Sequence, residues 1–299
     1  MRDSPPPVNT IGVLGAGTMG HGIAQVAAAA GYHVVLRDVN EEAVTRGLES
    51  IKHNLDKGIQ RGKVTEAERD QVIAGIQTTT SIEDVRDADL IIEAAPERLD
   101  LKQALLRETE AIVGADCIFA TNTSSLSIDE IAAASARRGH VVGLHFFNPV
   151  HIMRLVEIVC GPSTSESTVA AVRAVAQRLK KEPIIVRDVP GFASSRLGVT
   201  LGLEAMRMVE QGVASARDID TAMELGYNHP MGPLRLTDLV GLDVRLSIAE
   251  YLHGKLGSET FRPPEILRRM VREGKLGKKS GEGFYKWNDG AETLTAASL

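Results

Sequence analysis

Short apolar runs recur through the first two thirds of the chain, each followed by a segment whose apolar positions fall at helical spacing. The runs predict strands at Ile11–Leu14, Val34–Leu36, Leu90–Ala94, Ile118–Ala120, Val141–Leu144, Leu155–Val159 and Ile184–Val186. Val44, Leu48, Ile51, Leu55 and Ile59 predict a long helix ending near Gly62, and Thr65 with Glu68 forms a capping box for the next one. Strands alternating with helices are the signature of an α/β fold, a mostly parallel sheet covered by helices. After Val186 the period becomes helical throughout. Helices are expected at Phe192–Gln211, Ala216–Leu225, Leu234–Leu252 and Glu265–Glu273, broken by Gly212, Gly226, Pro230, Pro233, Pro263 and Pro264. Two domains follow, an α/β domain over 1–189 and an all-helical one over 190–299. The helical part is apolar on more than one face, which predicts burial against a second copy in a homodimer.

Bulk properties narrow the function classes. The 299 residues, 43% of them hydrophobic, suffice for a proper core. A net charge of -5 and only 4% aromatic residues argue against nucleic acid or a membrane as the partner. The N-terminal stretch 1–10 is polar and proline-rich and has no signal-peptide core. Cys117 and Cys160 have neither CxxC spacing nor companion histidines at metal-ligand intervals, so no metal is expected and both read as small core residues in a reducing cytoplasm.

Gly15-Ala16-Gly17-Thr18-Met19-Gly20 follows the first strand and opens a helical run. In a Rossmann-type fold Gly15 permits the tight turn, Gly17 lets the backbone approach a pyrophosphate, and Gly20 lets helix and strand pack closely. The helix start, with Thr18 and Met19, offers backbone N–H groups to the phosphates. Asp38, after the second strand, stands where a carboxylate accepts hydrogen bonds from the ribose hydroxyls. Its charge would repel a 2′-phosphate, so NAD is expected rather than NADP.

His145 and Glu157 lie on neighbouring apolar segments. A carboxylate between Val156 and Ile158 persists in a core only if paired, and an imidazole can be that partner, which makes the two a candidate proton-transfer pair. The other reading is a hydrogen-bonded core histidine. Between the two halves of the sheet runs Thr121-Asn122-Thr123-Ser124-Ser125-Leu126-Ser127. Ser127, followed by Asp129 and Glu130, is expected to cap the next helix and to leave the Ser124 hydroxyl facing the crevice.

GAGTMG, Asp38, Glu97 and Lys102 after Ile92-Glu93, NTSS, GLHFFNPV, LVEIV, PGF, HPMGP and LGKKSGEGFY together resemble the L-3-hydroxyacyl-CoA dehydrogenases, closest to the bacterial 3-hydroxybutyryl-CoA type, from about Ile11 to Trp287. The resemblance implies that His145 is the general base for a 3-hydroxyl and Glu157 its orienting partner. It also implies that Ser124 bonds the reacting oxygen, that Asn148 positions nicotinamide and substrate, and that Glu97 and Lys102 contact the cofactor ribose region. Asn54 and Arg61 fall at positions that hold the nucleotide part of CoA. Lys52, Lys57 and Lys63 offer further cations there, and a solvated helix face explains any one of them equally well. Ser195 stands where many members carry asparagine in a PGFxxNR segment, so the substrate contact there is altered. The glycine-rich tail 277–285 reads as a tight turn docking the terminus.

Two alternatives stay open. A free 3-hydroxy acid such as gulonate could be oxidised on the same scaffold, although Phe146 and Phe147 after the histidine favour acyl-CoA. An NAD-binding protein without turnover would be expected to have lost His145 or Glu157, and both are present.

Overall fold

A computed structural model describes residues 7–288 and 291–294. The chain divides into two compact units, Met1–Val189 and Pro190–Leu299. In the first, the elements run β1 (Thr10–Leu14), α1 (Thr18–Ala29), β2 (His33–Arg37), α2 (Glu41–Gln60), α3 (Glu66–Ala74) and β3 (Ile76–Thr79). They continue with β4 (Leu90–Glu93), α4 (Leu99–Glu110), β5 (Ile118–Thr121), α5 (Ile128–Ala132), β6 (Val141–Phe146), β7 (Leu155–Cys160), α6 (Glu166–Arg178) and β8 (Glu182–Arg187).

The eight strands form one sheet in the order β3-β2-β1-β4-β5-β6-β7-β8. The chain moves outward from β1 to β3 and then restarts on the other side with β4, so a crevice opens beyond the carboxyl ends of β1 and β4. All pairs are parallel except β6 with β7. The central strands are buried on both faces, as their unbroken apolar runs require. α1 lies close on the sheet because Ala24, Ala27 and Ala28 present methyl groups rather than longer chains to Val34 and Leu36. The capping box at Thr65 and the Ser127 cap on α5 are both present.

Several strands of this unit depart from the expected bounds: β6 runs on to Phe146 and so includes His145, and β8 spans Glu182–Arg187. β3 has the sequence Ile76-Gln77-Thr78-Thr79, an edge strand with one buried residue and no apolar run to announce it. The strand expected at Leu90–Ala94 ends at Glu93.

The second unit contains α7 (Ser194–Glu210), α8 (Ala216–Gly226), α9 (Pro233–Val240), α10 (Leu242–Leu256), α11 (Glu265–Arg272) and a terminal pair, β9 (Tyr285–Asn288) and β10 (Ala291–Leu294). Its core gathers Leu203, Met206, Leu234, Leu252, Leu267 and Phe284. The helix expected over Leu234–Leu252 is two helices, because Gly241 has φ +103° and breaks the spiral. Phe192, at φ +47°, delays the start of α7 to Ser194. The tail docks by a tight turn as anticipated: the buried carboxylate of Asp238 accepts hydrogen bonds from Phe284 N, Tyr285 N and Trp287 Nε1 at 2.9–3.0 Å.

Candidate active site

The carboxyl end of β1 turns sharply at Gly15, whose φ is +103° and whose missing Cβ would lie 2.7 Å from the Ala94 carbonyl oxygen. A Cβ on Gly20 would fall 1.7 Å from the Gly15 oxygen, so neither position tolerates a side chain. Gly17 differs. It is exposed, and a Cβ there would meet nothing within 4 Å, so no protein contact requires glycine. As the N-cap of α1 it supplies no side-chain cap, and no acidic residue occupies the first turn. Thr18 is exposed and Met19 half-buried beside these free N–H groups. An open, uncapped helix start fits an anionic group such as a pyrophosphate.

Asp38 follows β2 and leans back over this turn. Its Oδ2 accepts from Ala16 N at 2.7 Å and its Oδ1 from Val39 N at 2.6 Å. Each oxygen keeps a lone pair for a hydroxyl, so the residue fits a ribose diol.

On the far side of the crevice an acidic network fixes the loops after β4 and β5. Glu93, completely buried, accepts from Lys102 Nζ at 2.8 and 3.0 Å, from Ala95 N and from Thr121 Oγ1. Lys102 is likewise completely buried, with further contacts to the Ala95 carbonyl and to Glu97 at 3.4 Å. It therefore presents no surface to the crevice, against the expectation of a direct contact, and its ammonium reaches that side only through Glu97. Glu97 Oε1 accepts from Thr123 Oγ1 at 2.6 Å and from the Ser124 and Ser125 amides at 3.0 and 3.1 Å. Burial pushes its carboxyl upward, but the Lys102 charge and these donors outweigh that and hold it below the usual carboxylate range. Glu93 was not anticipated. A glutamate ending a fully buried strand, with a lysine nine residues on, was the available signal.

Ser124 is exposed beyond β5, its hydroxyl 3.4 Å from Glu97. The Asn122 side chain accepts from Phe146 N at 2.8 Å and so ties the exit of β5 to that of β6. Along β6, His145 lies inside the strand rather than beyond it, directly opposite Glu157 in the antiparallel register. Its Nδ1 is 2.7 Å from Glu157 Oε2. Glu157 is completely buried and His145 is 7% exposed, with the Phe147 ring 4.6 Å away. A carboxylate can only accept, so Nδ1 carries a proton and Nε2 is the ring nitrogen that can take or give one. That is the arrangement of a positioned base. Asn148 is exposed just after β6.

A cleft of about 570 Å³ lies between α1, α2 and the start of β8. Asn54 and Arg61 both line it, with Lys57, Lys63, Arg178 and His151, while Lys52 does not. Asn54 also donates to Gln25 at 3.4 Å. The volume and the cationic rim suit a phosphorylated ligand. Ser195 lies in the second unit, in the first turn of α7.

A doubly wound sheet with a glycine turn at the end of β1, an acid after β2 and a histidine–carboxylate pair near the same edge defines a dinucleotide-linked oxidoreductase. Family models narrow the class. Residues 10–189 match the 3-hydroxyacyl-CoA dehydrogenase NAD-binding domain and residues 191–287 match the 3-hydroxyacyl-CoA dehydrogenase C-terminal domain. The chain is 46% identical to the "Probable 3-hydroxybutyryl-CoA dehydrogenase" of Deinococcus radiodurans, over 92% of this chain and 99% of the relative. It is 41% identical to the 3-hydroxybutyryl-CoA dehydrogenase of Clostridioides difficile, over 93% and 99%. The crystal structure of (S)-3-hydroxybutyryl-CoA dehydrogenase from Ralstonia eutropha superposes with a TM-score of 0.92 at 42% identity, over 95% of this chain and all of that one. The chain belongs to the 3-hydroxyacyl-CoA dehydrogenase family and is an NAD-dependent oxidoreductase.

Proposed function

We propose that the protein interconverts a short-chain L-3-hydroxyacyl-CoA, 3-hydroxybutyryl-CoA above all, and the 3-ketoacyl-CoA. The observation that carries this reading is the buried pair of His145 and Glu157, 2.7 Å apart on adjacent strands. His145 Nε2 takes the proton of the 3-hydroxyl during oxidation and returns it during reduction, while Glu157 holds the ring and its tautomer. NAD supplies the hydride acceptor. Asp38 engages its ribose, and the open N-terminus of α1, from Gly17 through Thr18 and Met19, faces the pyrophosphate. Ser124 donates to the reacting oxygen from a loop that Glu97 fixes, and Lys102 acts through Glu97. Asn148 helps position nicotinamide and substrate.

Asn54 and Arg61 hold the nucleotide end of CoA, whose phosphates suit the cationic cleft. Ser195 contributes a substrate contact, shorter than an asparagine would give. The second unit serves as the substrate and dimerisation domain. Leu236, Leu239 and Val240 support this, because all three are exposed at spacings that place them on one side of α9. Among the described residues no helix is long and apolar enough to cross a membrane. Cys117 and Cys160 are free thiols, as suits a reducing cytoplasm. The reaction serves fatty-acid oxidation or a butyrate-type pathway.

The test is NADH consumption with acetoacetyl-CoA, set against free acetoacetate and gulonate-type acids. Turnover of the free acids alone would refute the acyl-CoA reading. His145→Gln is expected to lower turnover about 10²- to 10⁴-fold with NADH affinity retained, and equal loss of both would return His145 to the core.

A further inference from the structure

Between the two strands of the proton-transfer pair the chain leaves the sheet. β6 ends at Phe146 and β7 begins at Leu155, and the link 147–154 carries Asn148 and sets where Glu157 stands opposite His145. Apolar packing anchors little of it. Val150 is its one buried residue, at 2% exposure, while Asn148, Pro149 and residues 151–154 are exposed. Val150 packs against α1 where only glycine fits, since a Cβ on Gly22 would lie 2.9 Å from the valine Cβ. Within the link, Ile152 N and Met153 N both donate to the Pro149 carbonyl, and at its end Glu182 N donates to the Arg154 carbonyl at 2.8 Å. A stretch with so few buried contacts opens locally at low cost unless something else holds it.

A buried ammonium does so. Lys181, 8% exposed, donates from Nζ to the Val150 carbonyl and, at 2.8 Å, to the Met153 carbonyl. Its own backbone is fixed at the end of α6, where Lys181 N donates to the Ala176 carbonyl at 3.0 Å after Lys180 turns the chain with φ +58°. No carboxylate pairs with Nζ among the described residues, so the two carbonyls are what offsets the burial of the charge. Hydrogen bonds from an ionised donor are stronger than neutral ones, which makes the contact a firm clamp on the link. Lys181 also lines the cationic cleft, whose walls carry seven Lys and Arg side chains and no Asp or Glu. One more cation for a ligand would be the simplest role for it. Two of its three donors, however, are taken by the link.

We propose that Lys181 is a positioning residue for the proton-transfer pair, holding the link 147–154 by the Val150 and Met153 carbonyls so that Glu157 stays aligned with His145. This rests on the reading of that pair as the base and its orienting partner. α1 presses on the Val150 side chain while the ammonium draws on its carbonyl, and all of these elements belong to the first unit. Lys181 acts through backbone, so its effect falls on kcat rather than on affinity. A displacement of about 1 Å at a catalytic group can cost on the order of 10²-fold in rate.

The experiment measures kcat and KM for NADH-dependent reduction of acetoacetyl-CoA by the parental enzyme, Lys181→Met, Glu157→Gln and the double variant. Lys181→Met is expected to lower kcat roughly 10- to 100-fold, with KM and NADH affinity near the parent's. In the Glu157→Gln background the same replacement is expected to cost about threefold or less, because the alignment it protects no longer serves the reaction. Equal fold-losses in the two backgrounds overturn the inference. So does a raised KM at unchanged kcat, which would make Lys181 a cation for the ligand. A second readout needs no substrate: the proton on His145 Nδ1, in its bond to the buried carboxylate, is expected as a downfield ¹H NMR resonance that Glu157→Gln abolishes and Lys181→Met shifts or broadens. An unchanged resonance in Lys181→Met overturns the inference whether or not the thioester is turned over. A parental enzyme that shows the resonance and reduces no acetoacetyl-CoA removes the acyl-CoA reading instead. If Lys181→Met fails to fold, Lys181→Gln, which keeps an N–H donor without the charge, goes through the same cycle and is judged by the same outcomes.

Discussion

Replacing Glu157 by glutamine changes one atom and removes one charge at the centre of the proposed proton-transfer pair. In the parent, Glu157 Oε2 stands 2.7 Å from His145 Nδ1 inside a sheet that leaves the carboxylate no exposure. Such a charge-assisted bond is worth about 1.5–3 kcal/mol. If the glutamine carbonyl faces the ring, a neutral hydrogen bond survives and the loss is about half of that upper value, roughly 10-fold in kcat. If the amide NH₂ turns inward, it donates to Nδ1 and drives the proton onto Nε2, where the lone pair is needed. The loss then reaches or exceeds about 150-fold. The assay is the decrease in NADH absorbance at saturating acetoacetyl-CoA, with NADH affinity measured by fluorescence and the melting temperature recorded for the same preparation. The expected result is a fall in kcat within or beyond that range, with NADH affinity and melting temperature close to the parent's. A kcat within threefold of the parent's would refute the argument, because the orienting bond would then contribute nothing in the transition state.

Two further tests address the framework around the site. Lys102→Met leaves the buried Glu93 without its ammonium partner and is expected to cost about 3–5 kcal/mol, read as a drop of roughly 6–20 °C in the melting of the first unit. Adding Glu93→Gln should recover most of it, and a single variant as stable as the parent would count against the pairing. Asp238 gives a pH signature, since burial raises its carboxyl to about 6, with Asp220 adding to the rise and the three tail donors opposing it. A carboxyl whose folded pKa lies above its unfolded value of about 3.9 contributes stability that is complete below the unfolded value and lost as pH rises through about 6. The change is at most about 3 kcal/mol. The melting temperature of the parent relative to Asp238→Asn should therefore decline as pH rises across that window, and a flat or rising difference contradicts the assignment.

The parts of this architecture legible in the sequence are those written as local pattern. Ile11–Leu14, the glycine turn and Asp38 follow one another closely, so their joint meaning needs no long-range contact. Caps at Thr65 and Ser127 are equally local. β3 was invisible because an edge strand needs only Ile76 inward, and its backbone pairing with β2 carries the rest. The break at Gly241 was hidden by apolar residues that continue at helical spacing across it. Lys102 was assigned to the ligand when its burial depends on Glu93, which is nine residues away in sequence yet reaches it only after the turn from β4 into α4.

The reversal of direction between β6 and β7 has a consequence for how the site is inherited. Side chains along a strand alternate faces, so His145 and Glu157 meet only while the eight-residue link 147–154 delivers β7 in its present alignment. Insertion or deletion of one residue there could preserve every apolar contact type in the sheet and still send the carboxylate to the opposite surface. The proton-transfer pair is thus encoded as much in the length of a connection as in the identity of its two members. Change in this lineage should accumulate as substitution within that link sooner than as gain or loss of a residue.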